Sequence, residues 1–62
     1  MKSYSSREMI KIIEQDGWYF VRQNGSHQQY KHPSKVGLVT IPHPRKDLKS
    51  KTVSSILSQA GL

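Results

Sequence analysis

His27 is the residue of this sequence best placed to move a proton near neutral pH. It lies in Gln23-Asn24-Gly25-Ser26-His27-Gln28-Gln29-Tyr30. That stretch reads as a tight hairpin, and a hairpin does not need a histidine at the first exposed rung after its turn. Asn-Gly favours a type I′ turn, because both central residues take positive φ. With Asn24-Gly25 as the two-residue loop, Gln23 faces Ser26 and Arg22 faces His27. Directly opposed residues share a face of the sheet. An imidazole and a guanidinium are then expected as neighbours. The first can move a proton and the second can hold two phosphate oxygens at once. RNA carries its own nucleophile, the 2′-hydroxyl. A protein that cuts it need only remove that proton and stabilise the charge that develops. A lone exposed histidine is more often a surface residue or a hydrogen-bond donor, and spacing alone favours that plainer reading.

A second group of candidates is Arg45, Lys46, Lys49 and Lys51, which cluster at or just before the start of the final helical segment. Cations there oppose the helix macrodipole, at a few tenths of a kcal/mol each. They fit better if a phosphate joins them, because free N–H groups and lysines then converge on one anion. The plainer reading is a solvated charge run. The locally unfavourable placement and the overall charge put phosphate binding ahead of it. Ser26 joins this set as an RNA-binding candidate beside His27.

The remaining chemistry is sparse. His32 and His43 flank prolines at strand ends, and structural roles suit both better than catalysis. His32 is an odd number of positions from His27 and points to the other face. His43 is placed to lie across the sheet near Ser26, as a second proton carrier or a phosphate ligand. No metal site is expected: there is no cysteine, no paired histidine spacing on a helix, and the surface repels cations. No cofactor is indicated, since no Gly-rich phosphate loop and no convergent carboxylate pair occurs. Trp18, Tyr19, Phe20 and Tyr30 alternate between faces. Most are expected in the core, and an exposed one could stack on a base.

The chain has 62 residues, with ten Lys and Arg against four Asp and Glu, for a net charge of +6. That balance points to a polyanion, most often nucleic acid. The charges fall within structured-looking segments rather than in a tail, which favours a shaped surface. The length fits one domain, 1–62. A chain this short buries only about 60% of its unfolded surface, so its stability is marginal. No apolar run is long enough to span a bilayer, and Lys2 is followed by serines rather than an apolar signal segment. A soluble, cytoplasmic protein with no membrane association is expected.

These residues need elements to hold them. Ser5 and Glu8 form a capping box, with Tyr4 and Met9 placed as a hydrophobic staple. Met9, Ile10, Ile12 and Ile13 give an apolar stripe, and Gly17 fits the left-handed position after the last turn. The first helix should run from about Ser6 to Asp16. Strands follow at Trp18–Gln23 and Ser26–His32, then a turn from Pro33, then a third strand at Leu38–Ile41 stopped by Pro42 and Pro44. Val53, Ile56, Leu57 and Ala60 line one face of a final helix that stops at Gly61. Ser50 is favoured over Asp47 as its N-cap. The order is α-β-β-β-α, in the α+β class. A three-stranded antiparallel sheet with so few apolar residues cannot bury both faces, so both helices should cover one.

Three stretches, 16–33, 39–48 and 52–62, resemble the HicA family of toxin–antitoxin ribonucleases. The most specific pieces are Gly25-Ser26-His27, the prolines leading into the basic turn, and the Ile56-Leu57…Ala60-Gly61-Leu62 ending. The resemblance spans nearly the whole chain. It implies a fold like the double-stranded-RNA-binding domain and an mRNA-cleaving toxin that acts without the ribosome. It also implies a HicB-like antitoxin partner that holds the toxin inactive, and it puts the catalytic histidine at His27. Lys51 departs from the family pattern, which usually has glycine before the Thr52 position. That departure bears on the last helix's cap or on an added phosphate contact. Two other readings stand beside this one. One is a non-catalytic double-stranded-RNA-binding module, which would not need His27. The other is a small interaction domain whose basic face docks on an acidic protein.

Overall fold

Ser5 starts the first helix, α1 (Ser6–Gln15), by the expected capping box: its Oγ accepts from the Glu8 N–H while Glu8 Oε1 accepts from the Ser5 N–H. The structure, a computed structural model, describes residues 3–62. α1 ends where Gly17 takes φ 108°, and the N–H groups of Gly17 and Trp18 close back on Glu14 and Ile13. Three strands follow: β1 (Tyr19–Asn24), β2 (His27–Lys31) and β3 (Val39–Pro42). They form one antiparallel sheet in the order β1-β2-β3. The last helix, α2 (Ser50–Gln59), ends on Gly61 at φ 72°, with the Leu62 N–H bonded to the Leu57 carbonyl.

Both helices pack on β3 and on each other, so one face of the sheet is covered. Met9, Ile13, Trp18, Tyr30, Val39, Ile41, Leu48, Ile56 and Ala60 make up the buried core. Ile56 of α2 and its C-cap Ala60 are buried, while Val53 and Leu57 pack at the edge. This is the α-β-β-β-α arrangement expected from the patterning. β1 is exposed along its whole length.

The hairpin differs from the expected one. Asn24 pairs with His27, so the two-residue loop is Gly25-Ser26 rather than Asn24-Gly25. Only Gly25 has positive φ in this turn, at 63°. Glycine at the first central position with a normal second residue is the type II′ pattern, which also matches strand twist. A second irregularity follows at Val21, where the register shifts between Phe20 and Arg22. The extra residue lets Phe20 stand opposite Tyr30 on the helix side while Arg22 stands opposite Gln29 on the other. Phe20 and Tyr30 meet edge to face at 5.8 Å.

α2 begins one residue earlier than expected. Lys49, not Ser50, is the N-cap, and it makes no side-chain cap hydrogen bond. Ser50 is the first helical residue, so its hydroxyl is not placed to cap. The first turn holds no acidic residue.

Candidate functional site

Three devices hold the end of the sheet where His27 lies. Pro42 stands opposite His27 on β3, as Asn24 does on β1. The His43 N–H donates to the Ser26 carbonyl at 2.6 Å, which ties the hairpin turn to the loop after β3. That loop, 43–49, is in turn fastened to the start of α1 and to the chain just before it. The Ser6 N–H donates to the Arg45 carbonyl at 3.0 Å and the Leu48 N–H to the Tyr4 carbonyl at 2.7 Å. Ser6, fully buried, donates from Oγ to the Pro42 carbonyl. Ser3 Oγ donates to the Asp47 carboxylate at 2.7 Å. The basic loop is therefore held at both ends.

His27 is exposed and points away from the helices, on the face shared by Asn24, Arg22 and Gln29. Arg22 was expected directly opposite it. The shifted turn places Arg22 two residue pairs further along, opposite Gln29, and Arg22 Nε donates to Gln29 Oε1 at 2.5 Å. Arg22 and His27 are thus diagonal neighbours on one face, a spacing of about 7 to 8 Å between Cα atoms that a long side chain can cross. Ser26, in the turn, is exposed and keeps its carbonyl on His43.

Of the basic candidates, Arg45 and Lys46 sit with Ser5, Ser6, Arg7, His43 and Pro44 around a depression of about 610 Å³. Arg45 and Lys49 line a smaller one of about 280 Å³ with Pro42, Asp47, Leu48 and Thr52. Lys51 is exposed in the first turn of α2 and lines neither. The loop brings Arg45 and Lys49 to the uncapped start of α2, where backbone N–H groups remain open to an anion, and turns Lys46 toward the start of α1.

Arg7 and Lys11 were not among the sequence candidates. They are exposed on α1, one turn apart, and flank the Ile10 edge of its apolar stripe. The i, i+4 spacing was a visible signal. What hid its meaning is that the surface they face comes from β2 and the loop after β3.

The other two histidines separate cleanly. His43 lines the depression with Arg7 and Arg45. His32 is a structural pin: its Nε2 lies 2.7 Å from the Asp16 carbonyl, and its Nδ1 accepts from the Ser34 and Lys35 N–H groups. The ring packs edge-on against Trp18 at 5.2 Å. Lys35 continues the pin, donating to the Asp16 carboxylate and the Ala60 carbonyl. The Lys35 hydrogen bond holds the Asp16 carboxyl below its usual range, against a smaller opposing effect of desolvation. Burial raises the Tyr30 hydroxyl, helped by the charge of Glu14. Among the described residues, no three His, Cys, Asp or Glu side chains gather to hold a metal ion, and no helix is long and apolar enough to cross a membrane.

A family model described as the HicA toxin of bacterial toxin–antitoxin systems matches residues 6–62. The chain belongs to the HicA toxin family. A chain from a toxin–antitoxin complex of Streptococcus pneumoniae superposes on it with a TM-score of 0.80. The two are 32% identical over 94% of this chain and 97% of that one. A comparison with curated proteins returned no match. The HicA match includes the hairpin with His27, the basic loop and both helices.

Proposed function

We propose that this HicA-family protein is an endoribonuclease toxin that cuts mRNA by attack of the RNA's own 2′-hydroxyl. His27 takes that proton, or returns one to the leaving 5′-oxygen. The observation that carries the reading is the position of His27, exposed on the open face at the end of the central strand, beside the basic loop. Arg22 reaches the scissile phosphate from its diagonal position on the same face and steadies the developing charge. Arg45 and Lys49 hold the flanking backbone at the uncapped start of α2 and Lys46 holds it on the side of α1, with Lys51 and Ser26 at the margins. No metal or cofactor takes part, because the substrate supplies the nucleophile and the protein supplies the proton transfer. The toxin acts in the cytoplasm. Its partner is a HicB-like antitoxin with an acidic face, drawn to the net charge of +6. The simplest inhibition covers His27 and the basic loop together.

The test incubates purified protein with an all-ribose RNA, and with the same RNA carrying 2′-deoxy substitutions, in the presence of a chelator. Cutting should be confined to the ribose substrate and should leave 2′,3′-cyclic or 3′-phosphate ends. Cutting of the deoxy substrate would exclude 2′-hydroxyl attack. A protein that binds duplex RNA and cuts nothing would instead be a non-catalytic binding module.

A further inference from the structure

We infer that the trench between α1 and the β3–α2 loop is a second seat for the RNA, that it lies on the helix side of the sheet, and that it takes a single strand. This rests on the ribonuclease reading and names where the substrate goes beyond the cut.

The trench is made of two depressions that meet at Arg7 and His43. One, of about 610 Å³, is lined by Ser5, Ser6, Pro44, Arg45 and Lys46 besides those two. The other, of about 460 Å³, continues along α1 over Glu8, Ile10, Lys11, Gln28 and Tyr30. Among the described residues, Arg7, Lys11, Arg45 and Lys46 form no ion pair and donate no side-chain hydrogen bond. Four cations around one trench repel each other, and a polyanion relieves that. The one carboxylate on the lining, Glu8, is bound into the helix cap through Oε1. The floor differs from the rim. Ile10 and the edge of Tyr30 are apolar, and the Tyr30 hydroxyl donates to Gln28 Oε1 at 2.8 Å. Cations on the rim and an apolar floor beside an imidazole suit backbone phosphates with a base laid between them.

The geometry also selects the form of RNA. His27 faces away from the helices, whereas Gln28 and Tyr30, of opposite parity on β2, face the trench. The two sites meet only around the end of the sheet, at the Ser26–His43 hydrogen bond. A strand engaged at both must bend sharply around that end. The whole protein is only 32 Å in its longest dimension. A double helix is stiff over a far longer distance, about 50 nm for DNA. A single strand makes the turn freely.

The test reverses charge at two exposed helix positions distant in sequence from the hairpin, Arg7→Glu and Lys11→Glu, singly and together. The first probe is a fluorescein-labelled single-stranded RNA of mixed sequence with 2′-O-methyl groups, which cannot be cut. The second is the same RNA in all-ribose form, and the third is its duplex. A ribose dinucleotide, long enough only to span the cut, completes the set. The double variant should weaken binding of the 2′-O-methyl strand by at least about tenfold. It should flatten the log K against log salt slope by roughly 0.7 for each phosphate it no longer neutralises. KM for the long RNA should rise with kcat little changed, and dinucleotide cleavage should match the wild type. Arg7→Lys should retain most of the binding. Unchanged affinity and salt slope in the double variant would make these residues a solvated helix face and overturn the inference, while leaving the ribonuclease reading intact. A wild-type preference for the duplex would overturn the single-strand assignment. Failure of the wild type to bind or cut either RNA would bring down the ribonuclease reading itself, before any variant is compared.

Discussion

Arg22 and His27 share a face of the β1–β2 ribbon but stand two residue pairs apart, and Gln29 holds the guanidinium Nε at 2.5 Å. A guanidinium with one N–H bound to a neutral amide keeps its other N–H groups for a phosphate. Gln29 therefore fixes Arg22 on the face of the sheet that also carries His27. Arg22→Ala should lower kcat by about 10- to 100-fold, the worth of one hydrogen bond to a charged group. Gln29→Ala should lower it less, because the arginine stays and loses only its support. Single-turnover cleavage separates these cases, and equal rates in all three proteins would remove Arg22 from the chemistry.

His27→Ala should keep the fold, since the side chain is exposed and adds little to the core. RNA affinity should be nearly retained, because most of the proposed phosphate contacts fall to the loop and trench cations. Cleavage should fall by about 10² to 10⁴, the usual share of a general acid–base group. Thermal unfolding, binding and cleavage measured on one preparation distinguish these effects. Undiminished cutting would pass the role to His43.

Replacing Lys46 or Lys49 with alanine should weaken binding about equally for all RNA sequences. Each phosphate that is no longer neutralised should flatten the log K against log salt slope by roughly 0.7 to 0.9. A slope equal to that of the wild type would assign these lysines to solvent.

Gly17→Ala should destabilise the protein through two separate effects. The residue has φ 108°, and an added Cβ would lie 2.7 Å from His32 Nε2. The backbone conformation alone costs about 1 to 2 kcal/mol. In a domain this small, 1 kcal/mol shifts the melting temperature by about 4 to 8 °C. His32→Ala relieves the clash but not the backbone strain. The pair should therefore show less than additive loss in a double-mutant cycle.

Acid should act through Asp16. Its folded-state pKa is depressed by the Lys35 hydrogen bond, so its contribution is complete above the unfolded carboxylate range, near pH 3.9. It is lost as pH falls through the lower folded-state value. Urea midpoints followed downward from pH 6 should drop less steeply for Asp16→Asn than for the wild type, with the variant less stable throughout at higher pH. Parallel curves would mean that other carboxylates govern acid unfolding.

The elements were legible because each rests on local chemistry. The capping box, the stripe of Met9 and Ile13, Gly17 and Gly61 act within a turn or two of their own position. The same residues would form the same helices against any apolar partner. His27 and the basic run were legible for a similar reason: a titratable or charged group announces itself by type. The hairpin register was not. Asn24-Gly25 and Gly25-Ser26 are both competent two-residue turns. The choice falls to longer-range pairing: Phe20 meets Tyr30 edge to face while His27 meets Pro42 and Ser26 bonds to His43. Moving the loop by one residue changes each partner by two and leaves Arg22 and His27 on a common face, so burial near the turn does not choose the register and pairings distant in sequence decide it. The trench was hidden for the same physical reason. Arg7 and Lys11 belong to α1, His43 and Arg45 to a loop more than thirty residues later, and Gln28 to the middle strand. Side chains so far apart in the chain become one surface only when the helix packs on the sheet, and sequence spacing carries no record of that approach.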